Sequence, residues 1–235
     1  MRPRRFLEAA ASPLAGATAA AFAGLSAVRR KRVFHPRGHA FEATVSFGVV
    51  RDLPFSGTHR ALVRLSRGAG LPERAPDVLG LAVKLPELDQ DLLLASSGEG
   101  PLTRHLLIPA RGYFRRPYSS VLPYELDGRS IVFGARAAAA LKGSPDTTLE
   151  AVTSLVHEGG VRFELTWAET GKREVATLGS LVLEGRHDGD LSFNPFDSYG
   201  ALRPAGALNR LRRETYAASQ EARPDAESVA RVSSK

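Results

Sequence analysis

The chain contains no cysteine, and its only methionine is Met1. The absence of cysteine excludes disulfide bonds and thiolate metal sites. Because cysteine and methionine are the side chains that oxidants modify most readily, a chain without them is hard to damage with peroxide. Compositional drift accounts for the same absence equally well.

The sequence also lacks a recognisable nucleic-acid-binding pattern, although it is basic. It has 235 residues and a net charge of +7. The arginines are spread along the chain and do not cluster among aromatic residues, so we expect no nucleic-acid partner. An apolar fraction of 43% and a charged fraction of 24% are typical of a soluble globular protein, here long enough for one large domain.

Residues 1–31 differ in composition from the rest of the chain. Residues 6–28 are alanine-rich and contain one charge, Glu8, and one proline, Pro13. A secretory signal is not followed at once by a run of basic residues such as 29–32, and a membrane span needs about 20 strongly apolar residues. We therefore interpret residues 1–31 as an arm or helix that packs on the chain or on a partner subunit. Membrane association is the alternative, and the expected location is the cytoplasm.

An alternation of apolar and polar side chains begins near residue 40 and predicts a series of β-strands. The strand candidates are separated by glycine-rich turns and lie at residues 41–47, 61–66, 79–85, 92–95, 161–167 and 174–183. Because they follow one another without alternating helices, they favour an antiparallel barrel or meander.

Helices are predicted in two places outside these strands. Residues 134–142 are alanine-rich, and residues 205–220 lie between Pro204 and Pro224. The predicted fold class is therefore α+β. The predicted division of the chain has three parts: the arm at residues 1–31, a domain at residues 32–223, and a polar, disordered tail at residues 224–235.

An arginine precedes a tyrosine by four residues in the last predicted helix. Because positions i and i+4 share one helix face, the guanidinium of Arg212 can reach the phenol oxygen of Tyr216. A cation there lowers the pKa of the phenol and favours phenolate, a hard anionic ligand for ferric iron. The spacing is common by chance, and a surface helix with a packed tyrosine explains this segment equally well.

Five upstream segments, in the same order along the chain, resemble motifs of the haem catalases. They are Arg-Val-Phe-His at residues 32–35, Leu-Val-Arg-Leu-Ser at residues 62–66, Asp-Val-Leu-Gly-Leu-Ala-Val-Lys-Leu at residues 77–85, Asp-Leu-Leu-Leu at residues 91–94 and Phe-Asn-Pro at residues 193–195. No single segment is specific, but the ordered set is. The chain is thus similar to a small member of the catalase-like superfamily.

The resemblance implies an antiparallel β-barrel of catalase type with flanking helices that holds a b-type haem. It makes Tyr216 the axial iron ligand, Arg212 its charge partner, and His35 the residue that moves protons on the distal side of the haem. Ser66 would hydrogen-bond and orient the histidine. Other residues match positions that contact the haem, namely Arg32, Arg64 and Arg223 at the propionates and Phe114 as a packing aromatic. The implied substrate is a small peroxide, and the arm would wrap a neighbour in a homo-oligomer.

The chain departs from the family on the distal side. Where catalases have an asparagine that hydrogen-bonds the peroxide, this sequence has Ala95, Ser96 and Ser97. A serine must replace that donor or the contact is lost, at a loss of about 100-fold in rate. Phe34 is bulkier than its counterpart, and the chain is too short for a long access channel. These departures favour organic hydroperoxides over rapid disproportionation of hydrogen peroxide.

Three functions are consistent with these features. The leading hypothesis is a haem-dependent peroxidase or weak catalase. The second is an enzyme that rearranges lipid hydroperoxides, of the allene oxide synthase kind. The third is a barrel without haem that serves as a binding or scaffold protein. The remaining histidines lack the spacing of metal ligands.

Overall fold

The computed structural model describes residues 37–50, 53–189, 191–193 and 202–205. Within them, ten strands, β1 to β10, lie at Arg37–Phe47, Gly57–Arg67, Leu79–Leu85, Gln90–Ser96, Tyr118–Ser119, Tyr124–Leu126, Arg129–Ala137, Arg162–Glu169, Ala176–His187 and Arg203–Pro204. One α-helix of the described part, α1, covers Leu149–His157, and short 3-10 turns cover Pro86–Leu88, Thr103–His105 and Ala139–Leu141.

Eight of the strands close into an antiparallel barrel. Around the barrel each strand pairs with the next in the order β1, β2, β3, β4, β5, β7, β8, β9, and β9 pairs back with β1. β5 and β6 lie end to end along the same edge of β7, and β10 is an outer strand beside β6. The predicted α+β fold built on an antiparallel barrel is confirmed.

The barrel interior is filled by alternate residues of the strands. On β1 and β2 the inward face carries Phe41, Val45, Val63 and Leu65, all with no exposed surface. Full burial of such a side chain stabilises the fold by roughly 1.5–3 kcal/mol. Because successive side chains of a strand point to opposite faces, the residues between these positions face outward.

The helix predicted at residues 134–142 is wrong. Residues 129–137 form strand β7, which pairs with β8 from Ile131 opposite Glu169 to Ala137 opposite Phe163. Phe133 and Ala135 point into the barrel and are buried. Burial and strand pairing outweigh the helix propensity of alanine here, and only Ala139–Leu141 makes a helical turn, of 3-10 type.

Helix α1 is not predicted by the sequence analysis, and neither are the strands β5, β6, β7 and β10. Thr148 caps it, because the Thr148 hydroxyl accepts a hydrogen bond of 3.1 Å from the backbone N–H of Ala151. Leu149, Val152 and Val156 are buried along one side of the helix, which packs on β9 and β1.

The six strand predictions are confirmed, although every strand except β3 extends beyond its predicted range at one end or both, and β9 begins at Ala176, two residues after its predicted start. The arm at residues 1–31, the helix at residues 205–220 and the tail at residues 224–235 lie outside the described residues. In the part of the chain that is described, no helix has the length and apolar character needed to cross a membrane.

Candidate functional site

The outward face of β1 to β4 carries two rows of mostly small side chains. Neighbouring residues across the four strands are Gly38, Ser66, Gly80 and Ala95 in the first row, and Ala40, Arg64, Ala82 and Leu93 in the second. We call these eight residues the platform. Since glycine, alanine and serine project little from a sheet, the platform is a shallow surface with a single cationic side chain, Arg64.

Gly38 lies so close to the adjacent strand that only glycine fits there. A Cβ atom at this position would lie 2.6 Å from the carbonyl oxygen of Leu65 and 2.9 Å from both Arg64 Cζ and Ser66 Cβ. The Arg64 guanidinium therefore lies against the backbone of Gly38, at the start of β1. His35, three residues earlier in the sequence, lies outside the described residues.

Two of the site residues predicted from sequence are brought together on the platform. Arg64 and Ser66 are two residues apart on β2 and share its outward face, and Ser66 is only 3% exposed. Five further predicted residues, Arg32, His35, Arg212, Tyr216 and Arg223, fall outside the described residues and stay predictions.

Phe114 lies elsewhere. Its ring is buried and packs edge to face against Phe163 of β8, with the ring centroids 6.0 Å apart. Its backbone N–H donates a hydrogen bond of 2.6 Å to the buried carboxylate of Asp146. Because Phe163 belongs to the hydrophobic core, Phe114 contributes to the core, and its contact with a haem stays a prediction.

Ser96 does not face the platform. Its hydroxyl donates to the carbonyl oxygen of Ile108 at 2.8 Å and accepts a hydrogen bond from the backbone N–H of Leu79 at 3.0 Å. The Ser97 hydroxyl donates to the carbonyl oxygen of Gly98 at 3.2 Å. Ala95 is the residue of this segment on the platform, and the Ser96 hydroxyl is bound to backbone groups away from it.

The start of the Phe-Asn-Pro motif lies beside the same outward face. Lys84, on β3 next to the platform, holds Asp91 of β4 through two hydrogen bonds of 2.8 and 2.9 Å. The ammonium of Lys84 lies 5.5 Å from the centre of the Phe193 ring, a cation–π distance. The chain therefore passes this face of the barrel shortly before the segment that contains Arg212 and Tyr216. This contact is a site feature that the sequence motifs alone do not reveal.

Two other tyrosines are poor candidates for phenolate. Burial raises the pKa of Tyr113 and that of Tyr118, so both phenols stay protonated near neutral pH. The Tyr118 hydroxyl already donates to the carbonyl oxygen of Tyr113 at 2.8 Å. In the described part of the chain, no cluster of three or more histidine or carboxylate side chains could hold a metal ion.

His39 connects the platform strand β1 to helix α1. Its Nδ1 atom lies 3.0 Å from the Thr153 hydroxyl, and its Nε2 atom lies 3.8 Å from a Glu150 carboxylate oxygen. Burial lowers the pKa of His39, and the nearby cation of Arg186 lowers it further. His39 is therefore mostly neutral at physiological pH and serves as a packing contact.

Solved structures of catalases share this fold. A fungal catalase has a TM-score of 0.58 and 12% sequence identity, over 79% of this chain and 57% of its own. A bacterial catalase has a TM-score of 0.61 and 12% identity, over 81% of this chain and 57% of its own. Catalase A from Saccharomyces cerevisiae has a TM-score of 0.58 and 10% identity, over 79% of this chain and 59% of its own.

The chain thus has a catalase-like fold and spans less than two thirds of the length of each of these catalases. No protein-family model matches the sequence, and no curated protein matches it. At such low identity the likeness shows the fold alone. The chemistry depends on this chain's own residues.

Proposed function

We propose that this chain binds a b-type haem through the phenolate of Tyr216 and uses it as a peroxidase or weak catalase. The observation that supports this most directly is the platform. Arg64 and Ser66, both matched to haem-site positions in sequence, share one face of the barrel.

The residues present fit a flat, anionic cofactor. The platform combines shallow side chains with one guanidinium, and a side chain at Gly38 would meet both Arg64 and Ser66. A planar ring system needs a shallow surface, and its carboxylates need a cation that forms charge-assisted hydrogen bonds. Arg64 would hold one carboxylate, and Arg32 and Arg223 are the proposed partners of the others.

The chain's own residues would then divide the chemistry among them. Arg212 lowers the pKa of Tyr216 and keeps its phenol ionised. His35 accepts a proton from the peroxide and returns it to the leaving oxygen, and Ser66 holds His35 in one tautomer. The haem iron, when bound, supplies the redox centre for cleavage of the O–O bond.

The proposed substrate is a small organic hydroperoxide, reduced at the expense of a co-substrate. Ala95 lies on the platform near the position where catalases place an amide donor, and the Ser96 hydroxyl is bound to backbone groups. Without that donor, a second hydrogen peroxide molecule is poorly oriented for disproportionation.

The proposed assembly is a homo-oligomer, with no nucleic-acid partner.

The test is reconstitution of the purified protein with haem, followed by absorption spectroscopy of wild type and Tyr216→Phe. We expect a Soret band and a ferric phenolate charge-transfer band in wild type, and collapse of haem content or a different ligation spectrum in Tyr216→Phe. Tyr113→Phe is the matched control, because it removes a buried hydroxyl that has no acceptor among the described residues. A Tyr216→Phe protein with wild-type haem content and spectrum would overturn the assignment, and a colourless wild type would support the haem-free barrel.

A further inference from the structure

A small cavity opens on the outward face of β7 and β8, across the barrel from the platform strands β2 and β3. Gly134 of β7 and Thr166 of β8 face each other there, and Gly98, Glu99, Arg104 and residues 117–119 border the opening. The space that the centre of a water molecule can occupy in it is about 50 Å³, several times what a single water needs. The apolar part of the wall includes Pro117, Val132, Ala168 and Val175.

Gly134 keeps this cavity open. A Cβ atom at this position would lie 2.7 Å from the Thr166 hydroxyl oxygen and 3.1 Å from the carbonyl oxygen of Tyr118. The Thr166 hydroxyl therefore lies beside bare backbone in a cavity with apolar walls. This arrangement leaves space for a ligand group beside the hydroxyl.

Arg104 borders the cavity and has a buried donor atom, Nη2, without an acceptor among the described residues. Arg104 is 5% exposed, and within the described residues its guanidinium is held through Nε, which donates to the carbonyl oxygen of Gly100 at 3.3 Å. Arg136, which also borders the cavity, is by contrast paired with Glu164 at 3.2 Å and with Glu99 at 3.7 Å. Trp167 borders the cavity too, but it pairs with Phe133 across β7 and β8 and shares its inward face.

Arg104 has no carboxylate partner in the described part of the chain, and burial lowers the pKa of its guanidinium. A buried cation without a counter-ion is unfavourable unless a ligand supplies the missing charge. The unpartnered Nη2 of Arg104 and the Thr166 hydroxyl both suit an anionic oxygen ligand.

We propose that this cavity binds a small monocarboxylate with an apolar body, held by Arg104 and Thr166. The carboxylate accepts hydrogen bonds from the guanidinium and from the Thr166 hydroxyl, and the apolar wall contacts the body of the ligand. Since Arg136 is already paired with Glu164 and Glu99, one cation without a carboxylate partner and mostly apolar walls suit a monoanion better than a doubly charged phosphate. The cavity is also too small for a nucleotide. The site is independent of the proposed haem site.

The chain provides its own reporter, because Trp167 is its only tryptophan. We would titrate the purified full-length protein with benzoate, following the fluorescence of Trp167 and, independently, the heat of binding. Benzamide, which has the same shape without the charge, should bind about tenfold more weakly or worse, the usual effect of removing a charged hydrogen bond. Acetate in the same titration separates a general anion effect from recognition of the ring.

Arg104→Gln should weaken benzoate binding about tenfold or more, and Arg104→Lys should retain part of it. Arg60→Gln is the matched control, since Arg60 is an exposed arginine on β2. The proposal is overturned if benzoate leaves both the fluorescence and the heat unchanged at tens of millimolar. It is also overturned if benzamide or the folded Arg104→Gln protein binds as wild type does with benzoate.

Discussion

Gly38 and Ser66 face each other across β1 and β2, and a Cβ atom at residue 38 would lie only 2.9 Å from that of Ser66. Ser66, the serine proposed to orient His35, is thus held in place by the pairing of β2 with β1. It lies opposite the first residues of β1, which follow His35 closely in the sequence. Its position depends on the absence of a side chain on the neighbouring strand.

Gly38→Ala should therefore disturb both the fold and the proposed site. The new methyl group meets the backbone oxygen of Leu65 at 2.6 Å, and a strand must shift to relieve that contact. We expect the free energy of unfolding to fall by roughly 1–3 kcal/mol, measured by urea denaturation, together with lower haem retention. Gly185→Ala is the control, because a Cβ atom there meets nothing within 4 Å. Equal stability of the two variants would contradict the steric argument.

Arg212→Leu keeps a good helix-forming side chain but removes the cation proposed to stabilise phenolate. We expect weaker haem binding and a phenolate charge-transfer band that develops at higher pH, both followed by absorption spectroscopy. Arg212→Lys keeps the positive charge and should show smaller changes in haem binding and in the charge-transfer band than Arg212→Leu. If Arg212→Leu behaves as wild type, either Tyr216 is not the ligand or Arg210 or Arg213 supplies the charge.

His35→Ala should retain haem, because His35 is not proposed to bind iron. Its peroxidase rate should fall by about 100-fold or more, the scale of general acid–base catalysis. His157→Ala, at the exposed end of α1, is the control. In wild type, turnover of small organic hydroperoxides with a reducing co-substrate should exceed oxygen release from hydrogen peroxide. An active His35→Ala protein, or oxygen evolution at the rate of a full catalase, would each refute its part of this prediction.

The stability of the fold should depend on pH through His39 and His59 in opposite directions. Burial lowers the pKa of His39 below its ordinary 6.5, so the unfolded state binds the proton first and stability falls as the pH drops below that value. The Ser56 carbonyl, followed by Glu87, raises the pKa of His59. Its contribution is therefore present below 6.5 and is lost as the pH rises through the raised value.

Urea unfolding at about pH 8 and pH 5 distinguishes the two histidines. His39→Gln should reduce the loss of stability at the lower pH, whereas His59→Gln should increase it. If both variants keep the wild-type pH dependence, neither histidine titrates differently in the folded and unfolded states.

The barrel strands are largely predictable from the sequence, because inward residues such as Phe41, Val63 and Leu81 alternate with outward ones. The conformation of residues 134–142 is not predictable in this way. Alanine favours a helix locally, whereas the pairing between β7 and β8 depends on residues distant in the sequence. Helix α1 is also missed. Its short amphipathic pattern and its Thr148 cap are visible in the sequence, but the helix is only nine residues long, which makes the pattern weak.

The candidate site is predictable only in part. The motif at residues 62–66 places Arg64 and Ser66 on one strand face. The role of Gly38 depends on the register between β1 and β2, which the sequence does not specify. The orientation of the Ser96 side chain is likewise not predictable from the motif, because it depends on whether residue 96 takes an inward or an outward position on β4.

The pairing between β1 and β9 sets the order in which the molecule can assemble. β1 to β4 pair each with the next in sequence, so the surface that carries Arg64 and Ser66 can form as soon as these residues are synthesised. The other edge of β1 waits for β9, and Ala40 pairs with His187 only after nearly all of the described chain exists. Such non-local pairing is slow, and an unpaired strand edge favours association with other chains. The nascent protein therefore exposes the platform early and closes its barrel last.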